Sequence, residues 1–309
     1  PRWSWKYVFV ASMLWASIPW MLFSFAQQYV TSALAGIING TTNYILTQMT
    51  QCGVPYAEAL AEAQRLGYAE ADPTADVEGY DAGAKAAIIA SIAFGASVVA
   101  ADVHHEGISS ITPTDIEMAG RLGYVIKAIA VVEGEVADSS PEVAVRVHPA
   151  MIPAEHPLAT VNDSFNAVFV EGASVGDLMF YGRGAGGGPT ASAVLGDVVD
   201  AAVNKAAGTA AAIGELAQAR IRPVDDLRCA YYLSIEVADR PGVLARVAAV
   251  FGAEGVSIRS MEQHGLGDDA ELIFITHESR EASVRATLDA LAELDAVNRI
   301  NSLIRVVGG

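Results

Sequence analysis

The chain has 309 residues, enough for two domains, and 52% of them are hydrophobic, enough to bury cores of ordinary size. It is rich in Ala and Gly and poor in aromatics, a composition that excludes a disordered chain and fits an α/β protein. A formal net charge of −17 argues against nucleic acid as a partner, because phosphates demand a basic face. Part of the acid is local. Residues 52–142 hold fifteen Asp and Glu against four Lys and Arg, which is either a solvated surface or a polar site. The two cysteines, Cys52 and Cys229, are far apart and have no His or Cys at ligand spacing. They form neither a disulfide framework nor a zinc site, and predict a reducing, cytoplasmic compartment.

The first element is unusual. Residues 7–26 carry no charge, and three of the four Trp fall within the first fifteen residues. The length would span a bilayer with Trp at the interface, although Pro19 would kink such a helix. A buried apolar element, or a segment foreign to the fold through truncation or a shifted reading frame, are the other two readings. The last of these is preferred, on grounds given by the resemblance described below.

From Gly36 the composition becomes that of an ordinary globular enzyme. Pro55, a run of good helix formers, and Gly67 as a stop predict a helix over 55–66. A polar loop over 68–79 holds Glu70, Asp72, Pro73, Asp76 and Glu78. A second helix then runs from about Asp81 through Ile88, Ile89, Ile92 and Phe94. It is apolar over much of its circumference and is expected to be buried. Segments 142–148 and 165–171 read as strands. Residues 182–188, GRGAGGG, are followed by Pro189-Thr190 and an apolar helix over 191–204, and 205–228 looks like a connector.

The last eighty residues have their own rhythm. A strand over 231–237 leads through the turn Asp239-Arg-Pro-Gly242 into a helix over 243–254. Strands over 257–262 and 270–276, a helix over 281–294 and a strand over 297–306 follow. The order is βαββαβ, a ferredoxin-like split unit.

Lysine is scarce: Lys6, Lys85, Lys127 and Lys205 are the only four. Lys85 lies one helical turn after Asp81, on the same face, and the acidic loop leads into it. Such a lysine is either a structural ion pair or a proton donor, and spacing alone does not decide between them. The GRGAGG stretch matches G-x-G-x-x-G in letter only. No Val/Ile-rich strand leads into it, so it reads as a backbone turn that can approach a ligand closely. His104-His105 point apart on any regular element and have no evident third ligand, so no metal is expected.

Three blocks together resemble the catalytic domain of homoserine dehydrogenases: GIINGTTNYIL at 36–46, LGYAEADPTADVEGYDAGAK at 66–85, and YGRGAGG at 181–187. The tail, with DRPGVL at 239–244, resembles an ACT domain, a small-molecule sensor. After the atypical apolar segment over 1–33, the resemblance implies an α+β catalytic domain with a mixed sheet over 34–204, a connector over 205–228, and an ACT domain over 229–309. It implies reversible reduction of L-aspartate 4-semialdehyde to L-homoserine with NADPH or NADH, in threonine and methionine biosynthesis. Lys85 falls at the family's catalytic lysine, where it would give a proton to the oxygen as hydride reaches the carbonyl carbon. Glu70 and Asp81, with Asp76 beside them, fall at substrate-binding carboxylates. Gly67 and Gly182 fall where backbone approaches the cofactor, and the turn 39–42 shapes the substrate end.

Threonine is the expected effector, near Asp239, Gly242, Leu244 and Ile258, and a homo-oligomer is the expected assembly. The family also begins with a nucleotide-binding domain, and nothing before Gly36 resembles one. This is the ground for reading 1–33 as foreign, for expecting impaired turnover, and for expecting the helix after Gly188 to expose an apolar face. The alternative is an inactive amino-acid-binding regulatory protein, anchored to a membrane through residues 7–26.

Overall fold

A computed structural model describes residues 32–135, 141–172, 175–184, 186–209, 215–265 and 267–307; residues 7–26 lie outside these. Among the described residues no helix is long and apolar enough to cross a membrane.

The chain enters through β1 (Ser32–Ile38), which is antiparallel to β2 (Tyr124–Glu135) on one side and to β4 (Phe165–Gly172) on the other. Both of its edges are therefore hydrogen-bonded, and successive residues serve opposite faces. Ile37 enters the core under one face and Ile38 the core under the other. The strand starts at Ser32, so the boundary drawn at 33/34 falls inside it.

Next come α1 (Gly40–Cys52), α2 (Tyr56–Arg65), α3 (Tyr80–Phe94) and α4 (Pro113–Arg121). After β2 the chain continues through β3 (Glu142–Pro153), β4, β5 (Gly176–Arg183) and α5 (Gly187–Ala207). The C-terminal unit is β6 (Arg228–Ala238), α6 (Val243–Ala253), β7 (Ile258–Gly265), β8 (Asp269–Thr276), α7 (Glu281–Ala292) and β9 (Val297–Val306).

The order of these strands across one mixed sheet is β7-β8-β6-β9-β3-β2-β1-β4-β5. The C-terminal four follow the ferredoxin-like order expected of βαββαβ. They join the rest by a short parallel pairing, Arg305 with Ala150 and Val306 with Met151. The two units also share a core. Tyr44, Leu46, Met49, Ile126 and Met151 pack in one cluster with Tyr232, Ile273, Ile304 and Val306. Each large apolar side chain buried there contributes roughly 1.5–3 kcal/mol, so the C-terminal unit is welded to the rest of the sheet.

Three expectations need correction or addition. Residues 39–42 do not form a free turn: Asn39 caps α1, its Oδ1 accepting from Thr41 N at 3.2 Å. The β-branched threonines after Gly40 mask this helix in the sequence. The helix α3 is not buried all round. Ala82, Gly83, Ala86, Ala87, Ala90 and Phe94 are buried, mostly small residues on the face toward the sheet, whereas Ile88 is 60% exposed. Finally, α5 runs from Gly187 to Ala207 with no buried residue. Val194, Leu195, Val198, Val199 and Val203 all lie in the open.

Candidate active site

The sheet delivers the chain to one point, the N-terminus of α1, where four distant segments meet. Asn39, at the end of β1, donates from Nδ2 to Asp81 Oδ2 at 2.8 Å and reaches Asp76 Oδ1 at 3.5 Å. Gly40 N donates to Asn166 Oδ1 at 2.9 Å, which brings in β4. Thr41 Oγ1 donates to the Tyr68 carbonyl at 3.0 Å, which brings in the loop after α2. Gly40 tolerates no side chain here, since a Cβ would lie 2.7 Å from the Ser164 carbonyl oxygen.

Asp81 occupies the first turn of α3, where the helix dipole favours an anion. Gly79 starts that helix in the left-handed region, φ +83°. A Cβ there would sit 2.6 Å from Val147 Cγ1. Asp81 Oδ2 also receives Lys85 Nζ at 2.6 Å. The Lys85 side chain is 51% exposed and that of Asp81 39%. An i,i+4 ion pair that open contributes only about 0.3–0.5 kcal/mol, too little to be the reason for its presence. Asp76 differs from a surface carboxylate: burial, reinforced by the neighbouring Asp81 charge, raises its pKa above the usual value. Two carboxylates thus share one asparagine and face one lysine, which leaves a net negative charge at an open edge.

The residues proposed from the sequence separate at this point. Asp76, Asp81 and Lys85 are brought together. Glu70 is not: it is exposed, its carboxylate makes no hydrogen bond or ion pair among the described residues, and its carbonyl accepts from Gln64 Nε2 at 3.0 Å. Gly67 (φ +77°) and Gly182 flank the cluster through Tyr68 and through Asn166, the partner of Gly182 across β4 and β5. A Cβ on either would meet nothing within 4 Å, so both backbones border open space. At Gly184 the chain instead presses on Asn166, and a Cβ would lie 2.0 Å from Nδ2.

Two features escaped the sequence reading. Asn166 buttresses the α1 N-terminus, and nothing in its local pattern marks it. Lys127, only 1% exposed on β2, donates to Asn43 Oδ1 at 2.9 Å, to Asn162 Oδ1 at 3.3 Å and to the Val161 carbonyl. Burial lowers its ammonium pKa to about 8, against a smaller opposing effect of Asp163. A lysine inside the apolar run YVIKAIAVV was the available signal. His104 bonds to Glu106 Oε1 at 2.8 Å, and the His105 ring packs against Tyr80. Among the described residues no three His, Cys, Asp or Glu are gathered as a metal site.

In the C-terminal unit, Asp239, Gly242 and Leu244 line a cavity of about 370 Å³ together with Val237, Gln263 and Leu272. Ile258 is not among the lining residues and packs against the unit's own core.

A model of the homoserine dehydrogenase family matches residues 23–199, and one of the ACT domain matches 231–296. Homoserine dehydrogenase of Mycobacterium tuberculosis is 50% identical over 283 residues, 89% of this chain and 64% of that protein. The Corynebacterium glutamicum enzyme is 50% identical over 286 residues, 92% and 64% respectively. The crystal structure of a homoserine dehydrogenase from Thiobacillus denitrificans superposes with a TM-score of 0.84 at 39% identity, covering 92% of this chain and 66% of that one. The chain thus spans 64% of the length of these curated relatives. Nothing among the comparisons supports an inactive sensor.

Proposed function

Since the chain belongs to the homoserine dehydrogenase family, we propose that it carries the substrate-binding and proton-transfer machinery for interconverting L-aspartate 4-semialdehyde and L-homoserine. The observation that carries this reading is the Asp76–Asn39–Asp81–Lys85 cluster. Its two carboxylates outnumber its one ammonium, and the residual negative charge suits the α-ammonium of a small amino acid. Asp81 Oδ2 holds Lys85 Nζ at the open edge. From there Lys85 Nζ gives its proton to the carbonyl oxygen in reduction and takes the hydroxyl proton in oxidation. Its charge also stabilises the oxygen while negative charge develops.

NAD(P)H, when bound, supplies the hydride. The open backbones of Gly67 and Gly182 fit a flat ring that must come close to the substrate.

The cavity at Asp239–Leu244 favours a second role for the C-terminal unit, binding an amino acid effector, with threonine as the candidate. The outermost strands, β7 and β5, each leave one edge unpaired among the described residues, which supports a homo-oligomer. Two unpaired cysteines suit the cytoplasm.

Calorimetry of the chain with L-homoserine tests the core of the reading. Asp81→Asn should weaken binding roughly tenfold or more, the value of one charge-assisted contact. Lys85→Met should retain binding and lose turnover by about 10²–10⁴-fold. Unchanged affinity in D81N, or wild-type turnover in K85M, refutes it.

A further inference from the structure

Residues 104–109 run between the two units and touch both. Toward the C-terminal unit, Glu106 takes both ends of the Arg305 guanidinium, Nη1 to Oε2 at 2.6 Å and Nη2 to Oε1 at 2.7 Å. The same guanidinium donates to Glu281 at 3.0 Å from Nε and 2.6 Å from Nη2. Tyr231 OH completes the group, donating to Glu281 Oε2 at 2.5 Å. Arg305 lies on β9, Tyr231 on β6 and Glu281 at the start of α7, so three elements of the C-terminal unit form one network, from which Arg305 reaches the Glu106 carboxylate. Arg305 is 5% exposed. Burial works against the Glu106 carboxylate, yet hydrogen bonds from His104 and Arg305 hold its pKa well below the usual range. The guanidinium is therefore buried, and its pairing with the part-exposed Glu106 is bidentate and fixed in orientation.

Toward the catalytic site the same segment is stitched to the residues on either side of Gly79. Ile108 N donates to the Val77 carbonyl at 3.0 Å, and Ser109 Oγ donates to Glu78 Oε1 at 3.2 Å. Gly107 passes so close to Glu78 that a Cβ would lie 2.3 Å from Oε2. The His105 ring stands 4.9 Å from the Tyr80 ring and presses on the helix at Gly83, where a Cβ would lie 2.3 Å from Nε2. These contacts begin at Val77, directly after Asp76, enclose Asp81 between Tyr80 and Gly83, and end two residues before Lys85.

We propose that Arg305 is a positioning residue for the Asp76–Asp81–Lys85 cluster: through Glu106 it fixes residues 104–109, and through them the C-terminal unit sets the first turn of α3. The route continues to the effector cavity. β6 pairs Tyr231 with Arg305, and at its other end Val237 and Ala238 line the cavity. A ligand that displaces β6 is felt at Arg305. The consequence for turnover rests on the dehydrogenase reading; the mechanical claim does not.

Hydrogen exchange on the full chain tests it, with Arg305→Lys, which keeps the charge but loses the fork, and with Glu106→Gln. In each, amides over 80–90 should exchange about tenfold faster, as for loss of one charge-assisted hydrogen bond. The double variant should add nothing further, and α2 should keep its wild-type rates. Unchanged rates over 80–90, or a uniform rise along the whole chain, overturns the proposal. Should R305K fail to fold, E106Q decides alone, since that carboxylate is part-exposed. If the local rise appears while D81N binds L-homoserine normally, the positioning stands and the substrate reading falls.

Discussion

Replacing Lys127 by Met should remove a pH dependence of stability that the wild type shows above neutrality. In the folded chain the Lys127 ammonium is enclosed by Asn43, Asn162 and the Val161 carbonyl, and burial brings its pKa from 10.5 to about 8. In the unfolded chain it stays protonated to the ordinary value. Between the two values the unfolded state binds more protons, so unfolding becomes harder as pH rises through that window. The folded state carries a penalty of about 3 kcal/mol at about pH 7, falling to about 1.4 kcal/mol near pH 9.5. The wild type should therefore gain about 2 kcal/mol over that range relative to K127M. Methionine leaves three acceptors unpaired at every pH, which offsets the two curves without changing their slopes. Tyr231 and Tyr232, whose pKa values burial raises, are common to both proteins and cancel in the difference. Urea unfolding of both chains at the two pH values, with matching slopes in denaturant, measures it. A wild-type minus K127M difference that stays level, or falls with pH, refutes the argument.

Gly83→Ala sets two opposed effects against each other: about 1 kcal/mol of helix propensity gained and roughly 1–3 kcal/mol of overpacking lost where the new methyl meets the His105 ring at 2.3 Å. The expected outcome is a net loss of about 1 kcal/mol in chemical denaturation, and a stability equal to or above wild type counts against the packing described for His105. For Asp76, burial and the Asp81 charge raise the folded-state pKa, so its ionised form weighs against folding at neutral pH and the burden disappears as the carboxyl is protonated in acid. Asp76→Asn should accordingly be more stable than wild type near neutrality, with an advantage that shrinks toward acid; thermal unfolding across that range would show a constant difference if the reasoning failed.

The periodic parts of the fold were legible, and the reason is physical. The helices α2 and α6 repeat cleanly, and their observed bounds lie within a residue or so of those expected. The parts that were not legible are those where a tertiary contact substitutes for a local signal. The helix α1 opens with Gly-Thr-Thr-Asn, poor helix formers that succeed because Asn39 caps them and Tyr44, Ile45, Leu46 and Met49 reach the core. For the site, the i,i+4 spacing placed Asp81 beside Lys85, because helical geometry is local. The same nearness in sequence gave no guide to Glu70, whose backbone is turned to Gln64, nor to Asn166, which arrives from another strand 126 residues away. Arg305 and Glu106, 199 residues apart, lie beyond any spacing argument.

What unites the cluster around α1 is that it lowers stability rather than raising it. Lys127 is desolvated, Asp76 is raised by its neighbour, and the Lys85–Asp81 pair is too exposed to return more than a few tenths of a kcal/mol. The large contributions lie elsewhere, in the core shared by the two units. A chain under selection for stability alone would replace Asp76 with an uncharged residue. Strain of this kind survives where charge is needed at a fixed place, and here three charged groups and one asparagine hold a net negative edge open to solvent while rigid packing surrounds it. That asymmetry, more than any single distance, is the physical reason for placing the chemistry at Lys85.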